Sequence, residues 1–179
     1  MYNGITRDVE RELFPVLREF GLRFHGYNPL AGGLLAGKYT STTDPALSMA
    51  GRFSCQYSGT AANPNPTYRA RYIKQPLFDS LDILTKACQS TGVPMAEASL
   101  RWTLHHSALD GKYGDAVIFG ASTQTHFDSN MDSCTRGPLP DELAEAFDKA
   151  WSVSRASCES YFRGYGSKPG RTDSFMARF

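Results

Sequence analysis

A tyrosine and a glycine-rich segment stand side by side where a strand-like run of the sequence ends. The alternating run ends at Tyr27, and residues 28–38 after it contain Gly32, Gly33 and Lys38. Glycine lets a loop bring its backbone N–H groups close to a ligand, and a lysine adds positive charge. We therefore predict a ligand-binding loop here. The simpler alternatives are a flexible turn for the glycines and a core position for the tyrosine.

A second candidate site follows the other strand-like run, residues 116–120. Ser122 comes shortly after this run and can cap a helix that extends to about residue 132. The first N–H groups of a helix have no intrahelical partner, and together with the helix dipole they attract anions. The start of this helix is thus a predicted anion-binding position, and the alternative is an ordinary solvated helix face.

Polar and basic residues fill the long segment between about residues 39 and 73. The segment is rich in Ser, Thr, Asn, Pro and Gly, and near its end stands a positive cluster of Arg69, Arg71 and Lys74. A loop of this length is usually functional or disordered, and we predict a short helical piece at its end. The fork of an arginine side chain fits phosphates and carboxylates, although most surface arginines are only solvated.

The remaining reactive side chains form no catalytic or metal-binding pattern. The four cysteines are widely scattered, with no CxxC pair and no histidine at a zinc-ligand spacing, so reduced thiols are expected. His105 and His106 stand on a predicted helix, with no serine, cysteine or carboxylate arranged beside them as in a nucleophilic triad. Asp79, Asp82 and the other acids are expected on a solvated face.

Composition and charge exclude several functional classes. The 179 residues can form one domain with a core, and 19 Lys plus Arg against 18 Asp plus Glu argue against a nucleic-acid surface. No run approaches the roughly 18 apolar residues that a membrane span needs. The charged amino-terminal segment excludes the apolar core of a signal peptide. We expect a cytoplasmic protein with neither a membrane nor a nucleic-acid partner.

Hydrophobic spacing predicts helices that alternate with two clear strands. Helices are expected after Thr6 as N-cap, over residues 77–88 up to Gly92, after Pro94, and from Pro140 to about residue 151. Pro15 is expected to break or kink the first of them. Residues 116–120 predict a strand buried on both faces, and residues 1–3 are a candidate third strand.

This alternation predicts an α/β fold with a parallel sheet. A closed (β/α)8 barrel needs eight strands and about 250 residues, which is more than this chain contains.

Longer stretches of the sequence are similar to one enzyme family. Residues 2–7, YNGITR, and residues 27–39, YNPLAGGLLAGKY, resemble aldo-keto reductases of the aflatoxin-aldehyde and succinic-semialdehyde reductase branch. Residues 100–102, 114–118 and 161–163 match the same family in its order and approximate spacing. The resemblance covers about residues 1–163, and residues 164–179 are expected to be a flexible tail.

The resemblance implies a fold, and it implies that the family's catalytic residues lie outside this chain. The family's fold is a TIM barrel, and this chain is similar to the stretch from the end of strand six through strand eight and the closing helices. The expected fold class is therefore α/β, a partial TIM (β/α)8 barrel. The family's proton-donor tyrosine, with its supporting Asp, Lys and His, belongs to the preceding half, so no catalytic residue is assigned here.

The resemblance also implies NADP(H) as cofactor and a set of binding residues. Tyr27 would stack on the nicotinamide, the loop after it would wrap the pyrophosphate, and the region after Ser122 would bind the adenosine 2′-phosphate and adenine. The implied cofactor-binding residues are Tyr27, Asn28, Pro29, Leu30, Ala31, Gly32, Gly33, Leu34, Lys38, Arg52, Arg71, Ser122, Gln124, His126 and Asn130. The implied substrate-binding residues are Tyr68 and Arg163.

The implied function is NADP(H)-dependent reduction of aldehydes or ketones to alcohols, with this chain supplying the cofactor-binding half and inactive alone. Its small-molecule partner would be a carbonyl compound. The alternative is a non-catalytic cofactor-binding or interaction module, completed by another chain or by a copy of itself. A third interpretation is a reading frame that starts too late, in which case upstream sequence would encode the catalytic tyrosine and lysine.

Overall fold

The computed structural model describes residues 1–40, 51–54 and 65–161. This part of the chain forms a helix-rich α/β fold in which two short strands are separated and flanked by helices. The elements in chain order are α1 Val9–Glu19, β1 His25–Tyr27, α2 Pro66–Tyr72, α3 Gln75–Thr91, α4 Met95–His105, β2 Ala116–Ile118, α5 Gln124–Thr135 and α6 Asp141–Ser154. Short 3₁₀ turns lie at Ala31–Ala36, Gly51–Phe53, Gly111–Tyr113 and Arg155–Ser157.

The two strands lie side by side and run in the same direction. β1 pairs with β2 in parallel register, with His25 opposite Ala116 and Tyr27 opposite Ile118. This pairing confirms the parallel sheet expected from the alternation of helices and strands. Because the strands are parallel, their carboxyl ends meet at one edge, and the loops that leave from these ends start next to each other.

Residues 1–3 are not a third strand, which corrects one expectation from the sequence. Asn3 instead pairs with Thr6 across a tight turn, in which each N–H donates to the other residue's carbonyl at 3.2 and 3.0 Å. The Tyr2 N–H donates to the Tyr27 carbonyl at 3.1 Å, which holds this turn beside β1. Such backbone hydrogen bonds leave no mark in the residue types of so short a segment.

β2 is not buried on both faces, contrary to the expectation from its apolar run. It ends at Ile118 rather than at Gly120, and Ile118 is 54% exposed. In the part of the chain that the structure describes, the sheet has two strands, so β2 has a neighbouring strand on one side. An apolar run shows that a strand is suited to burial, but the layers that cover it are set by the rest of the fold.

The sequence predicts that Pro15 breaks or kinks α1, and the structure excludes the break, because the helix continues through Pro15. The helix begins after Asp8 rather than after Thr6, whose backbone is used in the preceding turn, and it continues to Glu19. A proline lacks the N–H that would bond to the carbonyl one turn earlier, here that of Arg11. Because Pro15 and Arg11 are both exposed, water can replace the missing donor and the helix continues.

The core lies among α3, α4 and α6, with aromatic side chains at its centre. Trp102 of α4 stacks on Phe147 of α6 with ring centroids 5.5 Å apart, and both side chains are fully buried. Ser80 of α3 donates a hydrogen bond to the Ala150 carbonyl at 2.8 Å, which joins α3 to α6. Gly92 ends α3 with a φ of +68°, as the sequence predicts, since this left-handed position favours glycine.

Asp115, just before β2, joins the elements around the start of the sheet. Its side chain is 1% exposed and accepts hydrogen bonds from Arg18 at 2.5 Å and from the Phe24 N–H at 2.8 Å. The Asp110 N–H donates to the same carboxylate at 3.0 Å. Burial alone would raise the pKa of this carboxyl, but the donors outweigh it and hold the pKa below its usual value. One carboxylate thus links α1, β1 and the loop that leads into β2.

His106 gives the fold a measurable pH dependence. Its Nε2 accepts a hydrogen bond from the Leu139 N–H at 2.8 Å, which requires a neutral ring, and burial followed by the nearby His105 lowers its pKa. Below about pH 6.5 the unfolded chain therefore binds a proton that the folded chain does not. The free energy of unfolding then decreases as the pH is lowered. We expect the free energy of unfolding in urea to fall more steeply from about pH 7 to 5.5 in the wild type than in His106→Gln. Parallel profiles would contradict this.

Candidate functional site

The two predicted binding segments leave the same edge of the sheet. Tyr27 and Ile118 are opposite each other in the register, so the glycine-rich loop after β1 and the segment after β2 start as neighbours. The Tyr27 side chain is 40% exposed, which excludes the alternative of a buried core tyrosine. The topology therefore places an aromatic face, a glycine-rich loop and a helix start at one edge.

Asn28 holds the glycine-rich loop in shape with both its backbone and its side chain. Its carbonyl accepts hydrogen bonds from the Asn3 side chain and from the Ala31 N–H, each at 3.0 Å. Its side-chain oxygen accepts the Gly32 N–H at 2.9 Å, and its side-chain nitrogen donates to the Tyr72 hydroxyl at 2.6 Å. Asn28 itself has a φ of +67°, a conformation that asparagine tolerates better than most residues. These bonds exclude the simple flexible turn.

The two adjacent glycines of the loop serve different purposes. Both have left-handed φ values, +70° at Gly32 and +106° at Gly33. A Cβ on Gly32 would lie 2.8 Å from the Tyr68 ring, so this glycine is needed for close packing. A Cβ on Gly33 would have no heavy atom within 4 Å, so the backbone there faces open space. Gly33 is the position at which a ligand can approach the main chain closely.

Several side chains predicted to bind a ligand point into the protein. Pro29 is buried, and Ala31 and Leu34 are completely so. Such residues can meet a ligand only through their backbone groups. Lys38, at the end of the loop, is exposed and retains a side chain able to supply charge.

Asn65 brings the second half of the long loop against the first and was missed by sequence reasoning. Its side chain accepts the Tyr68 N–H at 3.4 Å, which caps α2, and donates to the Arg52 carbonyl. Arg52 and Tyr68, both predicted site residues, are thereby placed beside Gly32. An asparagine directly before a proline is a helix-start signal, and this signal could have identified the cap.

Arg71 is positioned differently from the exposed residues of the predicted site. Its side chain is 6% exposed, and its Nε donates to a Glu159 carboxylate oxygen at 2.9 Å. Its guanidinium also lies over the Tyr68 ring, 5.1 Å from the centroid. Arg163, the predicted substrate contact, lies outside the described residues.

The segment after β2 forms an open cleft at the start of α5. Thr123 rather than Ser122 caps the helix by accepting the His126 N–H at 3.2 Å, which corrects the predicted cap by one residue. The Ser122 hydroxyl instead contacts His126 Nδ1 at 3.2 Å. The cleft, about 320 Å³ in volume, is lined by Ala121, Ser122, Thr123, Gln124 and Phe127.

The four predicted residues of this second segment do not share one face. Ser122, Gln124 and His126 are exposed near the start of α5, and the Gln124 side chain donates to Asp128 at 2.7 Å. Asn130 is buried further along the helix. The structure thus brings three of these side chains to the cleft region and places the fourth on the inner side of α5.

Tyr72 beneath the loop is a hydrogen-bonding group rather than an exposed acid. Burial raises the pKa of its phenol well above the usual value, and its hydroxyl bonds to Asn28 and donates to Met1 Sδ at 3.1 Å.

Among residues 1–40, 51–54 and 65–161, no three or more His, Cys, Asp or Glu side chains are placed to hold a metal ion. Within the same ranges, no helix is long and apolar enough to cross a membrane.

The family of the chain follows from its sequence as a whole. Residues 1–152 match the profile of the Aldo/keto reductase family, a span that includes β1, the glycine-rich loop, β2 and α5. The chain belongs to the aldo-keto reductase family. The resemblance stated from the sequence motifs is thereby confirmed, and the helix-rich α/β arrangement agrees with the family's fold class.

Individual aldo-keto reductases are similar over most of this chain. The mouse aflatoxin B1 aldehyde reductase member 2 is 45% identical over 167 residues, which cover 91% of the chain and 44% of the relative. The human aldo-keto reductase family 7 member A3 is 44% identical over 91% of the chain and 49% of the relative. A fungal aldo-keto reductase from Pseudocercospora fijiensis is 39% identical over 90% and 52%. The chain spans about half the length of these relatives.

Proposed function

We propose that this chain is the cofactor-binding portion of an NADP(H)-dependent aldo-keto reductase that reduces aldehydes or ketones to alcohols. The proposal rests chiefly on the glycine-rich loop. The loop has open space beside Gly33. It begins at the same edge of the parallel sheet as the segment that leads from β2 to α5. Active sites of α/β proteins lie at the carboxyl ends of parallel strands, where these two segments begin.

The chain's own groups fit a dinucleotide phosphate. The open space beside Gly33 would admit a pyrophosphate. The Gly33 N–H is bonded to the Leu30 carbonyl at 2.8 Å, so Lys38 and Arg52, at or beside the loop, would supply the positive charge. The first N–H groups of α5 suit a further phosphate beside Ser122 and His126. Bound NADPH would supply the hydride. These residues would hold the cofactor and orient its nicotinamide beside Tyr27.

The substrate class and the activity of the isolated chain are part of the same proposal. Relatives named as aflatoxin B1 aldehyde reductases support a carbonyl compound as substrate. Because the chain spans about half of them, we propose that the proton donor lies outside it and that turnover needs a complementing part. A partial barrel from strand six to strand eight and a cytoplasmic location remain predictions from the sequence.

NADPH titration of the purified, monodisperse chain tests the proposal. We expect saturable binding followed by cofactor fluorescence, weakened about fivefold or more in Tyr27→Ala, since an aromatic contact contributes about 0.5–1.5 kcal/mol beyond its burial. Tyr113→Ala is the matched control, because Tyr113 is 42% exposed and lies before the amino end of β2. It should bind like the wild type.

The other outcomes of this titration are equally informative. Absence of binding by the wild type would reject the cofactor site of this chain. Equal losses in Tyr27→Ala and Tyr113→Ala would reject the stacking role of Tyr27. Turnover of an aldehyde by the chain alone, in a parallel assay, would show that it does contain a proton donor.

Within residues 1–40, 51–54 and 65–161, β2 is paired on one side, and this favours a second candidate function, an interaction module completed by another chain or by a second copy. Ile118 of β2 and Phe127 and Met131 of α5 are exposed large apolar side chains. Such surfaces favour association. A concentration-dependent increase in mass by sedimentation, suppressed in Ile118→Lys, would support it, whereas a monomer at all concentrations would reject a second copy.

A further inference from the structure

α2 lies between the glycine-rich loop and the carboxyl-terminal segment, residues 155–161. On the loop side, the Tyr72 hydroxyl accepts a hydrogen bond from Asn28 at 2.6 Å, and the Tyr68 ring packs against Gly32. The conformation of the loop therefore depends on where α2 presents these two rings.

On its other side, α2 and the residues just after it contact the carboxyl-terminal segment. Arg71 Nε donates to a Glu159 carboxylate oxygen at 2.9 Å, across 88 positions of sequence. Lys74 Nζ, just after α2, donates to the Ser157 carbonyl at 2.9 Å. Two charged side chains around α2 are thus bound by one short stretch near the end of the described chain.

The Arg71 guanidinium is the connection between the two sides. It is nearly fully buried and lies 5.1 Å from the centroid of the Tyr68 ring, whose edge limits the space at Gly32. A buried guanidinium needs an anionic partner, because leaving its charge uncompensated is costly. Loss of the Glu159 carboxylate would therefore drive Arg71 to a new position and release the ring that it covers.

We propose that Glu159 and Arg71 are positioning residues for the glycine-rich loop. The carboxylate fixes the guanidinium, the guanidinium fixes the Tyr68 ring, and the ring fixes the loop at Gly32. Arg71 then affects cofactor binding through the loop rather than by contacting a phosphate itself. The ligand named in this inference rests on the proposed function, but the mechanical connection does not.

Hydrogen exchange on the free protein tests the connection without any cofactor. The Gly32 N–H bonds to the Asn28 side chain at 2.9 Å and the Gly33 N–H bonds to the Leu30 carbonyl at 2.8 Å, so both amides report on loop structure. In Glu159→Gln we expect their exchange to rise roughly tenfold, with the amides of α5 unchanged, because only a local opening is altered.

Glu145→Gln is the matched control for this measurement. Glu145 forms an exposed ion pair with Lys149 on α6 at 3.6 Å, away from the loop. Unchanged loop exchange in Glu159→Gln, or an equal rise in α5, would overturn the proposal. The first result would show no connection, and the second would show a general loss of stability.

Two probes of binding extend the test to the ligand. Glu159→Gln should weaken NADPH binding roughly tenfold and leave adenosine 2′,5′-bisphosphate unchanged, since that probe lacks the nicotinamide half and its bridging pyrophosphate. Arg71→Met, alone or combined with Glu159→Gln, should give the same loss. A loss in Arg71→Met much larger than that in Glu159→Gln would identify Arg71 as a direct phosphate contact and overturn its positioning role, and additive losses in the double variant would show that the two side chains act independently. If the wild type binds no NADPH, the proposed function fails, while the exchange result still decides the connection.

Discussion

Asp115→Ala will lower the free energy of unfolding by about 2–3 kcal/mol, because it removes a buried carboxylate that accepts one charge-assisted and two backbone hydrogen bonds. The variant leaves Arg18 without its carboxylate and removes the acceptor for the N–H groups of Phe24 and Asp110. These donors belong to α1, to the residue before β1 and to the loop before β2. We therefore expect the pairing of β1 with β2 to be lost before the rest of the fold. Urea unfolding followed by circular dichroism measures the loss.

Asp132→Ala is the matched control for this large effect. Asp132 also pairs with an arginine, Arg136 at 2.6 Å, but both side chains are more than half exposed. An exposed pair contributes at most about 1 kcal/mol, so its loss should be small. Similar losses in the two variants would show that Asp115 is not the buried junction described here.

The same carboxylate predicts a loss of stability in acid. The pKa of Asp115 is lower in the folded chain than in the unfolded chain. Its contribution is therefore complete above the unfolded value of about 3.9 and is lost as the pH falls through the folded value. The difference in unfolding free energy between the wild type and Asp115→Asn should shrink as the pH is lowered below about 4. A difference that is constant with pH would exclude this charge effect.

Gly32→Ala will destabilise the protein by roughly 2–4 kcal/mol and weaken NADPH binding more than tenfold, because strain and overpacking act together. The alanine must adopt a φ of +70°, and its Cβ would stand 2.8 Å from the Tyr68 ring. The ring cannot move away freely, since the Arg71 guanidinium lies against it. Thermal unfolding and NADPH titration measure the two effects.

Gly92→Ala separates the two causes of this destabilisation. Gly92 has nearly the same backbone conformation, with a φ of +68°, but no heavy atom lies within 4 Å of a Cβ built there. It should therefore lose only the strain energy, about 1 kcal/mol, and retain NADPH binding. Equal losses at the two glycines would mean that the contact with Tyr68 costs nothing.

Much of the candidate site was accessible from residue types, because its chemistry is local. The glycines at positions 32 and 33 predict a loop, and the structure has a turn there with left-handed backbone at both. An exposed Tyr27 at the end of β1 follows from strand alternation and a loop that starts there. Gly92 marks the end of α3 for the same local reason.

Other features were predictable only in part, because residue type sets a tendency that context can reverse. Pro15 removes one hydrogen bond, yet α1 continues since the orphaned carbonyl is on an exposed face. The apolar run of β2 is suited to burial, yet Ile118 is 54% exposed, because the layers that cover a strand are set by the rest of the fold.

The sequence by itself determined the family, the alternation of helices with parallel strands, and the glycine-rich loop, since each depends on neighbouring residues. Only the tertiary structure decided which distant groups meet. The Arg71 side chain, a predicted phosphate contact, is buried and pairs with the half-exposed Glu159, and Asp115 joins α1 to the start of β1. Such pairs have no signature in one sequence, because charged residues are common and burial selects which of them meet.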